Sequence, residues 1–324
     1  GAEEMRLLLL ATTRVVAPTL AAVMLLVPAT ARSQAPPGQV PRTPTFGSEV
    51  EIINLNLSVT DGRNRYITDL DQKDFAVFED GIRQELSLFT HENLPISLSV
   101  LIDTSASMQE KLPQARGAAT RFIKTLRPQD DAQIVQFNDR STTLQDFTND
   151  QALLEAAIKR TDAAGPTALY NSMYVALKDL SKRKASAELR RRALVVLSDG
   201  EDTASLVNDE QVMELARKSE IAIYPISLRP SRPQDRGRMA FSQAEHILTS
   251  LARDTGGQVF FPESLSELDN VYDRIAEELR TQYSLGYQSS NARRDGKWRR
   301  IVVRTPDRPG VQVRHKLGYY APPS

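Results

Sequence analysis

The feature that most constrains this chain is an apolar run at residues 96–102 that ends in oxygen-bearing side chains. The run is rich in Leu, Ile and Val and lacks Gly and Pro, which is typical of a strand buried in a sheet. Asp103, Ser105 and Ser107 follow it directly. The carboxyl end of a strand is where α/β sheets commonly bind ligands. Because carboxylate and hydroxyl oxygens are hard ligands, the pattern favours Mg²⁺ over a soft metal.

Two later segments extend this pattern. Thr167 follows Gly165 and Pro166 just before a helical repeat, and Asp199 closes a second apolar run at residues 193–198. One Asp-x-Ser-x-Ser motif alone would be weak evidence, since Ser and Asp are common in turns. Three pieces in this order, two of them placed after strands, make a specific pattern and predict a single site.

With these motifs the chain resembles the von Willebrand factor A domain and its metal-ion-dependent adhesion site. The resemblance covers roughly residues 94–281 and includes all five metal-site positions. Its layout is also similar to that of exported bacterial proteins with a related domain, of the type frequent in Acidobacteria. The resemblance implies a binding function that depends on Mg²⁺ (or Mn²⁺).

The resemblance also assigns a role to each site residue. It implies that Ser105 and Ser107 bind the ion directly, that Thr167 does so in the ligand-competent state, and that Asp103 and Asp199 hold it largely through bound waters. Few direct anionic ligands leave the ion much of its positive charge. Its open position is then expected to attract an Asp or Glu carboxylate from a partner protein.

Helix and strand patterns alternate between residues 94 and 281. Such alternation predicts an α/β fold with a doubly wound, mostly parallel sheet and helices on both faces. The segment 142–147 is expected to be an antiparallel edge strand, and residues 259–261 the last strand of the sheet.

The segments on either side, residues 46–93 and 282–324, have short β-like patterns with Gly and Pro turns. Each is short for an independent β-sandwich. We therefore predict that they pair into one β-sandwich with the residue 94–281 domain inserted between them. Two separate small β caps are the alternative.

The N-terminal segment, residues 1–35, is typical of an export signal. Arg6 precedes apolar stretches, and Ala29-Thr30-Ala31 fits a cleavage site. Arg14 and Pro18 interrupt the apolar residues, which favours a cleaved signal over a stable transmembrane segment; an uncleaved anchor is the alternative. Residues 36–45 are Pro-rich and read as a linker. We expect a periplasmic, outer-surface or secreted protein.

Charge, cysteine content and the absence of enzyme motifs reduce the range of possible functions. The formal net charge is zero, so the whole chain offers no electrostatic case for binding nucleic acid. The absence of cysteine excludes disulfides, thiolate metal sites and cysteine nucleophiles. No hydrolase, zinc-protease or phosphate-loop motif is present, so we expect a binding protein and no enzyme. The alternatives are an assembly subunit of an envelope complex and, third, a Mg²⁺-dependent hydrolase using Asp103 and Asp199.

Overall fold

The computed structural model describes residues 52–183, 190–199, 202–228 and 243–323. The predicted export signal and linker, residues 1–35 and 36–45, lie outside the described residues. The strands are β1 (Ile52–Thr60), β2 (Ala76–Glu79), β3 (Ile82–Gln84), β4 (Leu86–Thr90), β5 (Ile96–Asp103), β6 (Asp131–Phe137), β7 (Ser141–Thr148), β8 (Arg191–Ser198), β9 (Ala222–Ser227), β10 (Tyr283–Gln288), β11 (Trp298–Arg304), β12 (Gln312–Arg314) and β13 (Gly318–Tyr320). The α-helices are α1 (Leu112–Lys124), α2 (Gln151–Lys159), α3 (Leu169–Lys182), α4 (Asp209–Ser219), α5 (Gln243–Thr255) and α6 (Leu268–Thr281).

The central sheet has five strands in the order β7-β6-β5-β8-β9. β6, β5, β8 and β9 run parallel, whereas β7 pairs antiparallel with β6 at the edge. Helices α1, α2 and α6 pack on one face and α3, α4 and α5 on the other. The predicted doubly wound, mostly parallel sheet is confirmed.

Strand β5 explains why this sheet is covered on both faces. All eight of its residues are buried, and successive side chains of a strand point to opposite faces. Leu98, Val100 and Ile102 join the core under α1 and α6, while Leu101 joins the core under α3. Because the residues on both faces of β5 are buried, its last residue, Asp103, lies at the end of a strand that is covered on both sides.

The remaining strands form two four-stranded antiparallel sheets, in the orders β12-β1-β10-β4 and β13-β11-β2-β3. Both sheets combine strands from before and after the central domain: Leu55 of β1 lies opposite Leu285 of β10, and Val77 of β2 lies opposite Val303 of β11. The two flanks therefore pair with each other, as predicted, and do not form two separate caps.

The two antiparallel sheets share one apolar core. Inward-facing residues of both sheets make one buried cluster, including Leu57 and Tyr283 from the first sheet and Phe75, Val77 and Ile301 from the regions around the second. The Tyr283 ring also packs against the Phe75 ring in a tilted arrangement, with 5.3 Å between centroids. The flanks thus form a two-layer β-sandwich with a common interior, which is how two short segments obtain enough buried surface.

Capping side chains and a glycine fix the ends of several helices. Asp150 accepts backbone hydrogen bonds from the first turn of α2, and Asn208 forms a capping box with Gln211 at the start of α4, as expected for good N-cap residues. After α5, Gly256 has φ of +83°. A Cβ there would lie 2.7 Å from the Lys316 backbone nitrogen, so only glycine permits this close approach.

Two short strand assignments differ from the sequence expectation. Residues 259–261 do not form a strand; Phe260 makes a single parallel bridge to Ile226. Conversely, β13 was not predicted, because three residues carry too little alternation to be seen.

Within the part of the chain described, none of the helices is long and apolar enough to cross a membrane.

A buried carboxylate, Glu278 of α6, joins the central domain to the sandwich. Its side chain is 0% exposed. It accepts hydrogen bonds from Ser58 Oγ of β1 at 2.9 Å and Tyr224 OH of β9 at 2.8 Å, and it pairs with Arg314 of β12. Tyr66 OH donates to its second oxygen at 3.2 Å. One carboxylate thus satisfies groups from both parts of the protein.

Replacing Glu278 with Ala should lower the free energy of unfolding by about 3 kcal/mol, since removing one member of a buried pair leaves the others without compensation. Urea unfolding followed by circular dichroism measures the change. Its neighbour Glu277 is exposed on the same helix, so Glu277→Ala is the matched control and should stay within about 0.5 kcal/mol of wild type. Equal effects from the two variants would contradict the role given to Glu278.

His315 is a second buried polar group near this junction. Its Nε2 accepts from the Val303 backbone N–H at 3.2 Å, and its Nδ1 lies 2.6 Å from the Lys316 carbonyl oxygen. One nitrogen must accept and the other donate, which requires the neutral ring. Burial is the main cause that lowers the pKa of His315 from its usual 6.5, and the nearby Lys316 charge acts in the same direction.

The lowered pKa of His315 makes the free energy of unfolding depend on pH. Below about pH 6.5 the unfolded chain takes up a proton on His315 while the folded chain does not, so stability present above that pH is lost as pH falls through the lowered folded pKa. We expect the free energy of unfolding to fall less steeply between about pH 7 and pH 5 in His315→Gln than in wild type. His246 is exposed, so His246→Gln is the matched control and should retain the wild-type slope. A wild-type slope in His315→Gln would refute this account.

Candidate metal centre

The predicted ligands begin in the loop of residues 104–108, called here the Ser loop. Its start is held at the carboxyl edge of the sheet, where Thr104 N donates to the Phe137 carbonyl at the end of β6 at 2.7 Å. Ser105 is buried and Ser107 is exposed. Their hydroxyl oxygens lie 3.0 Å apart in hydrogen-bond contact. The loop therefore turns both hydroxyls to one place, which two residues at i and i+2 can do in irregular backbone.

Asp199 reaches the same place from the end of β8. Its Oδ1 accepts a hydrogen bond from Ser107 Oγ at 2.8 Å, and its Oδ2 pairs with the ammonium of Lys111. The Asp199 side chain is only 1% exposed. Ser105, Ser107 and Asp199 thus form a continuous chain of oxygen atoms joined by hydrogen bonds.

Asp103 lies behind this chain of oxygens and is 0% exposed. Its Oδ1 accepts from the Ser105 N–H at 2.8 Å and its Oδ2 from Ser198 Oγ at 2.5 Å. Burial raises the pKa of the Asp103 carboxyl, and the nearby Asp199 charge adds to that effect, while the hydrogen bonds from Ser198 and Ser105 oppose it. A bound cation would favour the ionised carboxylate at this position.

Thr167 belongs to a second loop, residues 163–168, called here the Thr loop. The two loops are joined by backbone bonds: Ala106 N donates to Gly165 O at 2.9 Å, and Ala164 N donates to Thr104 O at 2.8 Å. Thr167 itself is buried. Gly165 has φ of +76°, a left-handed conformation that favours glycine. The Thr loop is therefore held directly against the Ser loop.

A third loop, residues 202–207, braces the Thr loop from the other side. The Thr167 carbonyl accepts from the backbone N–H groups of Thr203 and Ala204 at 2.8 and 3.0 Å. Asp202 accepts from the Tyr170 N–H at 3.2 Å and from Ser205 Oγ at 2.6 Å. Asp202 therefore orders the loop of residues 202–207. Its place in the sequence, close to Asp199, does not indicate this structural role.

An open groove of about 450 Å³ lies beside the Thr loop and is lined in part by Asn138, Asp139, Arg140 and Gly165. Asp139 and Arg140 pair at 3.4 Å with exposed side chains. The groove therefore lies next to the loop that carries Thr167.

The donor set fits a hard divalent cation. It consists of hydroxyl and carboxylate oxygens, which suit Mg²⁺ and Mn²⁺. Four of the five predicted positions are linked by hydrogen bonds, and the loop of the fifth is bonded to theirs. Within the described residues, no group of three or more His, Cys, Asp or Glu side chains is placed to hold a metal. A site here would thus depend on hydroxyls as much as on acids.

Comparison with known proteins identifies the central domain. Residues 98–201 match the family model of the von Willebrand factor type A domain. The chain contains a von Willebrand factor type A domain. The matched segment runs from β5 to just beyond Asp199, so it includes all five predicted ligand positions.

Individual relatives are distant from this chain. The inter-alpha-trypsin inhibitor heavy chain H1 of Sus scrofa is 24% identical over 212 residues, which cover 58% of this chain and 22% of that protein. The chain spans about a fifth of the length of the curated relatives it matches.

Solved structures resemble part of the chain. The vWF domain of the type V pili tip protein Mfa5 from Porphyromonas gingivalis has 14% identity and a TM-score of 0.47, covering 57% of this chain and 95% of that one. Proximal thread matrix protein 1 from the mussel byssus, described with a zinc-occupied MIDAS motif, has 15% identity and a TM-score of 0.47, covering 62% and 49%.

Two contributors to the site did not emerge from the sequence. Ser198 bonds to Asp103 across neighbouring parallel strands, and the regular pairing of two strand ends could have indicated it. Lys111 pairs with Asp199 from 88 residues away, and nothing in its local pattern indicates that contact.

Proposed function

We propose that this protein is an exported, metal-dependent binding module. It recognises an Asp or Glu carboxylate of a partner protein through a divalent cation, Mg²⁺ or Mn²⁺, held by Asp103, Ser105, Ser107, Thr167 and Asp199. The observation that carries the proposal is the hydrogen-bonded chain of Ser105, Ser107 and Asp199 oxygens at the carboxyl edge of the sheet.

The role of the ion and the role of the chain are distinct. The cation would supply positive charge and an open coordination position for the partner's carboxylate. The Ser and Thr loops would orient the hydroxyl ligands, because backbone bonds hold both loops in place. Asp103 would compensate charge from its buried position. The exposed Ser107 and the neighbouring groove leave the partner access.

The proposed organisation follows the fold. Residues 94–281 form the binding domain, residues 46–93 and 282–324 form the sandwich that carries it, residues 36–45 serve as linker, and residues 1–35 direct export. The pairing of the flanking strands supports the middle assignments.

The first test measures metal binding. Isothermal titration with Mn²⁺ and with Mg²⁺ should give one site per chain, abolished by chelator. Ser105→Ala should weaken the affinity by at least about tenfold, because loss of a group that only supports a ligand already has an effect of that order. The fold should persist, as seen by circular dichroism. Ser266 is exposed in the short 3₁₀-helix before α6, so Ser266→Ala is the control. Wild-type affinity in folded Ser105→Ala would remove this residue from the site.

The second test concerns the partner chemistry. Peptides with a single Asp or Glu should bind in Mn²⁺, and their Asn or Gln counterparts should bind at least about tenfold more weakly. Chelator should abolish binding of the acidic peptides. Metal binding without any preference for acidic peptides would favour an assembly subunit, in which the metal site is structural.

A further inference from the structure

Lys111 is a cation that lies beside the proposed metal site and is not one of its ligands. Its Nζ pairs with Oδ2 of Asp199, the oxygen opposite the one that accepts from Ser107. The Lys111 side chain is 28% exposed and that of Asp199 is 1% exposed. The pair is thus largely withdrawn from water. Charges in such a partly buried pair are screened less than charges at the surface.

The backbone fixes Lys111 in this place. Its N–H donates to the Met108 carbonyl of the Ser loop at 2.9 Å, and its own carbonyl accepts from Ala115 N–H at 3.0 Å. Lys111 is the residue at the N-terminal cap of α1. The lysine is therefore attached to both the Ser loop and a rigid helix.

Helix stability does not account for a lysine at this position. The N-terminus of a helix carries partial positive charge, so a cation there is unfavourable and Asp, Ser, Thr or Asn is preferred. Asp150 and Asn208 occupy the corresponding positions of α2 and α4. Ala168 and Glu267 cap α3 and α6, so Lys111 is the one cation among the N-cap residues of α1, α2, α3, α4 and α6. This cation contacts Asp199, which indicates that the charge acts on the site.

We propose that Lys111 is a positioning residue that neutralises Asp199, lowers the affinity of the site for divalent cations and leaves the bound complex positive toward a carboxylate. The inference rests on the proposed function. Two carboxylates and one ammonium give the site a formal charge of minus one, and a divalent ion brings it to plus one. Without the lysine, the same complex would be neutral and would attract an anionic partner less strongly.

Two other acids lie near the site and pair with neither Lys111 nor a predicted ligand. Asp139 is offset by Arg140 at the edge of the groove, whereas Asp202 keeps its negative charge, because the Tyr170 N–H and the Ser205 hydroxyl that it binds are neutral. Lys111 is therefore the cation that contacts the predicted ligands in the described part of the chain. Repulsion between it and a divalent ion should be substantial, since unit charges about 4 Å apart near a protein surface interact strongly.

The test is titration of the full chain with Mn²⁺ alone at fixed ionic strength. We expect Lys111→Met and Lys111→Gln to bind Mn²⁺ about tenfold more tightly than wild type or better, and Lys111→Arg to stay within about threefold of wild type, because the first two remove the charge and the third keeps it. Lys124 closes the same helix and pairs with Glu155 at 3.5 Å. Lys124→Met makes the same chemical change away from the site and should leave the affinity unchanged.

The outcomes separate the inference from the function it rests on. A tighter site in both neutral variants supports the inference, and a purely structural role for Lys111 would not produce it. Unchanged or weaker Mn²⁺ binding by folded Lys111→Met and Lys111→Gln would overturn the inference and leave the metal site standing. Absence of Mn²⁺ binding by wild type would overturn the proposed function, and the inference with it.

Discussion

The site depends on one constraint, the burial of the Asp103 carboxylate at the end of a strand that is covered on both faces. A buried carboxylate must obtain its hydrogen bonds locally, and here they come from the Ser105 backbone and from Ser198 of the neighbouring strand. The first bond bends the Ser loop over the edge of the sheet. That bend is what directs the Ser105 and Ser107 hydroxyls toward Asp199, so the arrangement of the oxygens follows from the core beneath them.

The central sheet separates the proposed metal site from the β-sandwich. Arg191 begins β8 and Asp199 follows its end, about 25 Å away along eight residues. Buried Arg191 donates to the Glu92 and Gln282 carbonyls, where the chain enters and leaves the central domain, and burial lowers its pKa to about 10. Glu278 provides a second connection to the sandwich. The sandwich is thus held at one end of the sheet, and the proposed metal site lies at the opposite end.

Much of the fold could be predicted, because it depends on patterns within short segments. The apolar run before Asp103 and the β-like patterns in both flanks each reflect a local period. What could not be predicted are contacts between distant residues and elements too short to have a period. Lys111 meets Asp199 only in three dimensions, β13 has three residues, and Phe260 makes one bridge where a strand was expected. The five ligand assignments and the domain boundaries remain predictions.

The central claim is that one divalent cation binds where the Ser loop, the Thr loop and Asp199 meet. Its most direct measurement is a crystal structure of the protein grown with Mn²⁺, with diffraction recorded on both sides of the manganese absorption edge. The account predicts one anomalous peak within about 2.1 to 2.3 Å of the Ser105 and Ser107 hydroxyl oxygens, a spacing typical of hard divalent cations. A peak elsewhere, or none at a Mn²⁺ concentration that saturates binding in solution, would contradict it.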